Sequence, residues 1–172
     1  MPHNHSIRIS LDLKDKNITF NHSFCEEKIV RGVLSKVYYG TLTYQTKACT
    51  CCGVKNENYS VVKNGFLTTR IKWLNTTNWP TYLYLKKQRF LCRHCNASFL
   101  AESLEIEKHC FIARRVKQSI TVELSDAISF KDLAKRHSVS STTVIRTLRS
   151  FGKEFSNHYD LLPPHLSFDE FT

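Results

Sequence analysis

The sequence predicts an α+β fold with its strands first and its helices last. Three observations lead there. Up to about residue 100 the apolar residues alternate with polar ones or form short runs broken by Asn, Thr and Pro. After it they recur at three- and four-residue spacing. Within the first of these regimes lie two Cys-x-x-Cys pairs, Cys49/Cys52 and Cys92/Cys95, bracketing two strand-like runs. The expected organisation is a β-rich segment at 1–48 packing on a cysteine module at 49–100, then a helical domain at 101–158. A linker at 159–165 and the start of a further domain at 166–172 complete it.

Ile7, Ile9, Leu11 and Leu13 alternate with polar residues, the period of a strand buried on one face. A second strand is expected over 36–44, leading the chain to Cys49. Two more, over 67–74 and 82–91, flank an Asn/Thr/Pro-rich segment at 75–80 that reads as a hairpin loop. Phe111, Val116, Ile120 and Leu124 then lie on helical spacing, followed by helices expected at 130–137 and 141–155. Leu162-Pro163-Pro164 ends the helical part, because two prolines remove two backbone donors and force an extended path. Leu166 to Phe171 restarts with strand-like alternation.

Lys and Arg number 25 against 15 Asp and Glu, a net charge of +10. The excess is concentrated: residues 49–100 carry eight basic side chains against Glu57 alone. A charge of this size calls for a polyanion, nucleic acid or an acidic membrane surface. No Gly-x-x-x-x-Gly-Lys-Ser/Thr or Gly-x-Gly-x-x-Gly string occurs, which excludes phosphate-cradling sites of those two kinds. No apolar run approaches the ~18 residues that cross a bilayer, and the opening residues are polar. The expectation is a cytoplasmic chain, associated with the nucleoid and not with membrane.

Seven cysteines in such a compartment are read for metal before disulfides. A Cys-x-x-Cys turn lets two thiolates reach one ion, and zinc takes four such ligands tetrahedrally. Gly53 and Asn96 follow the second Cys of each pair, where a knuckle turns through a left-handed residue. Cys49, Cys52, Cys92 and Cys95 are therefore the expected ligands of a structural zinc in a ribbon-like module. The two strands between them form a long hairpin that brings the second knuckle back beside the first. Such a site leaves no position for a catalytic water. Cys51, His94 and His109 are expected outside the set, and Cys25, Cys51 and Cys110 receive no role. A thiol oxidoreductase is the alternative reading of the same pairs, with a low-pKa Cys and no metal.

Lys72, Lys86, Lys87, Arg89 and Arg93 give the hairpin a basic surface, interleaved with Trp73, Trp79, Tyr82 and Tyr84. The aromatics serve either a nucleic-acid face or the hairpin's own core, and the core suits Trp73 and the tyrosines better. Residues 130–148 fit a two-helix DNA-reading motif, with Leu133, Val139, Val144, Ile145 and Leu148 inward and Ala134 at the crossing. Ser138 stands in the turn where Gly is commonest, and Ser140 or Ser141 caps the second helix. Thr142, Arg146 and Arg149 then form an outward stripe flanked by Thr143 and Thr147. Arg146 suits a guanine edge and Arg149 a phosphate of double-stranded DNA. A small helical bundle with a solvated basic face is the alternative.

The order of these parts, Cys49-x-x-Cys52-Gly53, a basic hairpin, Cys92-Arg93-His94-Cys95, the segment Asp132 to Phe151, and Ser167-Phe168-Asp169-Glu170-Phe171, resembles the N-terminal part of the ISL-three family of insertion-sequence transposases. The resemblance extends over essentially all 172 residues. It implies a zinc finger and a helix-turn-helix that bind the terminal inverted repeats of a mobile element, ahead of a ribonuclease-H-like domain. Asp169 corresponds by resemblance to the first carboxylate of that domain's Asp-Asp-Glu triad, which holds Mg²⁺ in a full-length relative. The other two carboxylates do not occur after it here, so the expectation is a truncated chain, not an enzyme by itself. A homodimer, or a hetero-oligomer with intact transposase, is a further implied partner. The rival reading is a free-standing zinc-containing helix-turn-helix transcriptional regulator, which has no use for the Ser-Phe-Asp-Glu-Phe strand.

Overall fold

The computed structural model describes residues 2–126 and 128–154. Its first element is a helix, α1 (Pro2–Ser10), where a strand was expected. Ile7 and Leu11 lie one helical turn apart and are both buried, while Ile9 between them is 65% exposed. Leu13 reaches the core only after the chain has turned at Asp12, whose φ is 47°. Over so few residues the spacings i, i+4 and i+6 satisfy a strand pattern as well as a helix followed by a turn.

Five strands form one sheet: β1 (Ile18–Val30), β2 (Val33–Leu42), β3 (Val61–Thr76), β4 (Trp79–Cys92) and β5 (Ser98–Leu100). The order is β1-β2-β4-β3, with β5 also paired to β4. β1 and β2 make an antiparallel hairpin through Arg31 and Gly32, both at positive φ, the twist that suits a two-residue turn. β3 and β4 do the same through Thr77 and Asn78, at φ 50° and 64°. β2 and β4 are parallel, from Lys36 opposite Thr81 to Leu42 opposite Lys87. The connection between them carries the first cysteine pair and the whole of β3.

β3 holds one extra residue against β4 between Lys63 and Phe66. Gly65 occupies the bulge at φ 72°, and the buried Gln88 donates from Nε2 to its carbonyl at 2.7 Å. Beyond that point β4 changes the face it buries. Thr81, Leu83 and Leu85 are covered near the turn, and Gln88, Phe90 and Cys92 on the opposite face near the cysteines.

Trp73 is fully buried in β3 and donates from Nε1 to Leu11 O at 3.0 Å, joining the end of α1 to the sheet. It belongs to the core, as does the aromatic pair of Tyr44 and Phe90 beside the cysteine end. One apolar cluster continues from these residues into α2 (Arg114–Glu123), α3 (Phe130–His137) and α4 (Ser141–Glu154) through Val116, Ile120, Leu133 and Val144. Phe111, expected within the first of these helices, precedes it and is 66% exposed. Its carbonyl instead accepts from Lys72 N at 2.8 Å, and Ala113 N donates to Lys72 O at 3.0 Å, so a backbone bridge fastens α2 to β3.

Ser129 caps α3 by accepting from Asp132 N at 3.1 Å, and Ser140 caps α4 by accepting from Thr143 N at 3.2 Å. Ser138 closes α3 at φ 53°, a left-handed position that usually falls to Gly. Among the described residues no helix is long and apolar enough to cross a membrane. The expected linker at 159–165 and the strand at 166–172, including Asp169, lie outside the described residues.

Candidate metal centre and nucleic-acid face

The two Cys-x-x-Cys segments fold alike. Cys49 N donates to Val54 O at 2.8 Å and Cys92 N to Ala97 O at 2.9 Å, the same five-residue closure in each. The residue after the second Cys takes positive φ in both, Gly53 at 74° and Asn96 at 55°. Each knuckle thereby turns its two thiols to one side. The β3–β4 hairpin sets the spacing between them, because Val61 pairs with Cys92 at its base.

The four sulfurs converge as a result. All lie within 4.8 Å of one another, with Cys49 Sγ 3.8 Å from Cys95 Sγ and Cys52 Sγ 3.8 Å from Cys92 Sγ. Zn–S bonds of about 2.3 Å place tetrahedral sulfurs about 3.8 Å apart, so the donor set and its size both fit a structural Zn²⁺. Cys49 and Cys92 are buried, and Cys52 and Cys95 face solvent.

The protonation of the thiols follows from their crowding. N–H donors from Cys52 and Cys51 outweigh desolvation and hold the Cys49 thiol down to about 6. Ala97 N–H acts to lower Cys95, but desolvation and the three neighbouring sulfurs prevail and push it up to about 12. Cys52 is also raised, the N–H of Val54 and the Cys95 thiol acting to lower it and desolvation with Cys49 and Cys92 outweighing them. Four sulfurs this close cannot all ionise without a cation among them.

Cys51 stands apart from the ligand set: its N–H donates to Cys49 Sγ at 3.3 Å while its own side chain is exposed. His94 is exposed within the second knuckle and is likewise outside the cluster. Cys110 lies beside Glu107 and Lys117, remote from the four in role, and Cys25 is exposed on β1 opposite Tyr38.

The basic residues of the hairpin do not form one surface. Lys72 is buried, and its Nζ donates to Asn75 Oδ1 at 2.6 Å and Thr81 O at 3.4 Å. Burial holds its pKa down to about 8, so it is a core cation and not part of a basic face. Lys86 and Lys87 are successive strand residues and project to opposite faces. Lys86 is exposed and sits over the Phe66 ring at 5.0 Å, while Lys87 is half-buried and its pKa is lowered by desolvation despite Glu102. Arg89 is half-buried and Arg93 is exposed in the second knuckle.

On α4, Thr142, Arg146 and Arg149 are exposed, and Thr143 is half-buried. Thr147 departs from the expected outward flank. It is buried, and its hydroxyl donates to Thr143 O at 2.9 Å, because the helix packs through Val144 and Thr147 with Ile145 and Leu148 only partly covered. Two residues that sequence reasoning passed over hold the helices in place. Glu123 at the end of α2 accepts from Arg136 at 2.8 Å and is 3.0 Å from His137 Nε2, and Asn75 reaches α3 from the hairpin. Their only signal was polarity at an element's end.

Residues 45–95 match the family described as the zinc-finger of transposase IS204/IS1001/IS1096/IS1165. The matched segment takes in both knuckles and the hairpin between them, and ends on Cys95. No curated protein and no solved structure matches the chain significantly. The sulfur cluster and this match together support a transposase-type zinc finger at residues 45–95.

Proposed function

We propose that this chain is the DNA-recognition part of an insertion-sequence transposase and binds the terminal inverted repeats of its element. The observation that carries the reading is the match of residues 45–95 to a transposase zinc finger, centred on the four converging cysteines. When bound, zinc cross-links the two knuckles and contributes folding free energy on the order of 10 kcal/mol. Cys49, Cys52, Cys92 and Cys95 hold it, and the base of the β3–β4 hairpin is held with it.

In this reading α3 and α4 form a helix-turn-helix, and the N-terminal half of α4 enters the major groove. Three features favour it: the three-residue turn opened by Ser138, the serine caps, and an exposed stripe of Thr142, Arg146 and Arg149. Arg146 pairs with a base edge and Arg149 with a phosphate. Lys86 and Arg93, two of the exposed cations of the zinc module, add sequence-independent attraction.

A gel-shift series tests this directly. The zinc-loaded chain is expected to bind a duplex carrying the element's terminal repeat more tightly than a scrambled duplex, and exhaustive chelation is expected to remove both binding and the zinc. Equal affinity for the two duplexes at physiological salt would refute the assignment.

A further inference from the structure

A groove of about 1040 Å³ runs between α2 and α4, with Arg114 and Lys117 on one wall and Arg146 and Arg149 on the other. Among the described residues its one carboxylate is Glu107, which is already ion-paired with Lys117. That bond, against desolvation and with a smaller contribution from the Arg114 charge, holds Glu107 below the usual carboxylate range, so it stays charged and bonded to Lys117. Among the described residues Arg114, Arg146 and Arg149 form no ion pair. Arg115, next in the chain, points inward to Glu105 at 3.3 Å and to Asp12.

The beginning of α2 adds an independent observation. Its N-cap residue is Ala113, with no side-chain cap, and its first turn holds no acidic residue. Three cations, Arg114, Arg115 and Lys117, stand there instead. Positive charge at a helix N-terminus opposes the helix dipole, and among the described residues Arg115 and Lys117 are compensated by ion pairs while Arg114 forms none. Two helices thus present cations to one another across an open cleft, an arrangement that an anion between or along them relieves.

We infer that this groove binds the sugar–phosphate backbone of duplex DNA, with Arg114 of α2 as a phosphate contact alongside Arg149 of α4. The inference rests on the DNA-binding reading of α4 and extends it: α2 becomes a second DNA-contacting element that sets the depth and angle at which α4 enters the groove. Backbone contacts of this kind orient a protein on DNA without reading sequence.

Arg114→Ala is the informative variant, because Arg114 is exposed and forms no salt bridge among the described residues, its field on Glu107 being minor beside that of Lys117, whereas Lys117→Ala would release Glu107 into the cleft. With the full zinc-loaded chain, affinity is measured on terminal-repeat and scrambled duplexes across a salt series. Arg114→Ala is expected to weaken both duplexes by the same factor and to reduce the slope of log K against log salt by about 0.9. Arg114→Lys restores the slope, and Lys16→Ala, an exposed charge on the connection from α1 to β1, leaves it unchanged. A wild-type slope in Arg114→Ala, with wild-type protein binding DNA, overturns this inference and spares the DNA reading. Absence of binding to either duplex by the wild-type protein sinks both.

Discussion

Asn75, near the end of β3, donates from Nδ2 to the carbonyl of Arg136 at 2.7 Å, and its Oδ1 accepts from the buried Lys72 at 2.6 Å. One amide thus links a core cation of the sheet to the last turn of α3. The helix that leads into α4 is held by the hairpin that ends at the second knuckle. Asn75→Ala removes both bonds and leaves the Lys72 ammonium with the Thr81 carbonyl and the face of the Tyr82 ring. The expected cost is about 1–3 kcal/mol in chemical denaturation, with weaker DNA binding than the stability loss alone accounts for.

Lys72 gives stability a distinct pH dependence. Its folded pKa, about 8, lies below the ordinary 10.5, so between those values the unfolded chain binds more protons than the folded one. Stability from this group therefore rises as pH climbs from about 8 to about 10.5. Lys72→Met is expected to flatten that rise. Denaturation midpoints of the zinc-loaded protein at pH 7.5 and 9.5 check it, an unchanged difference counting against the assignment.

Zinc binding separates the cysteines. Cys95→Ser, although the side chain is exposed, is expected to abolish stoichiometric zinc and to unfold the hairpin's base. Cys51→Ser, one residue from a ligand, is expected to retain one zinc per chain by metal analysis. Loss of zinc in both would place Cys51 in the centre and contradict the sulfur geometry.

Glu123 clamps α2 to α3. Desolvation works to raise its pKa, but Arg136 and His137 outweigh that and hold it down. The stabilisation is present above the unfolded carboxylate pKa and is lost as pH falls through the lower folded value. Glu123→Ala is expected to cost about 1–2 kcal/mol at pH 7 and much less in acid, measured as the difference in unfolding free energy.

Two α4 variants separate reading from packing. Arg146→Ala is expected to lose about 1–3 kcal/mol of discrimination between terminal-repeat and scrambled duplexes with little change in stability. Thr147→Val, at a buried position, is expected to change the melting temperature while leaving that discrimination alone. The reverse result would turn α4 over.

The parts legible in the sequence were those governed by local spacing. The knuckles were readable because two residues between cysteines and a left-handed residue after them leave few other uses. The β3–β4 hairpin was readable because alternation persists over many residues and breaks at Asn and Thr. α1 differs from the expected strand because seven residues with apolar positions at every second place fit either period, and the end of the helix is held by Trp73 Nε1 donating to the carbonyl of Leu11, a contact from a distant strand. β1 was passed over because its outer residues, Cys25 to Ile29, face solvent and carry no apolar period.

By itself the sequence determined the four cysteines of the two knuckles, the helical character of the region after residue 112, the positions of α3 and α4, and the excess of positive charge, since each depends on neighbours within a few residues. Only the tertiary structure decided which cations remain available. Lys72 is sealed under the β3–β4 turn, Lys86 and Lys87 part to opposite faces, Thr147 turns inward, and Arg114 comes to stand across from Arg146 and Arg149. Charge is counted along a chain, but the field it makes depends on which segments pack against one another, and packing joins residues far apart in sequence.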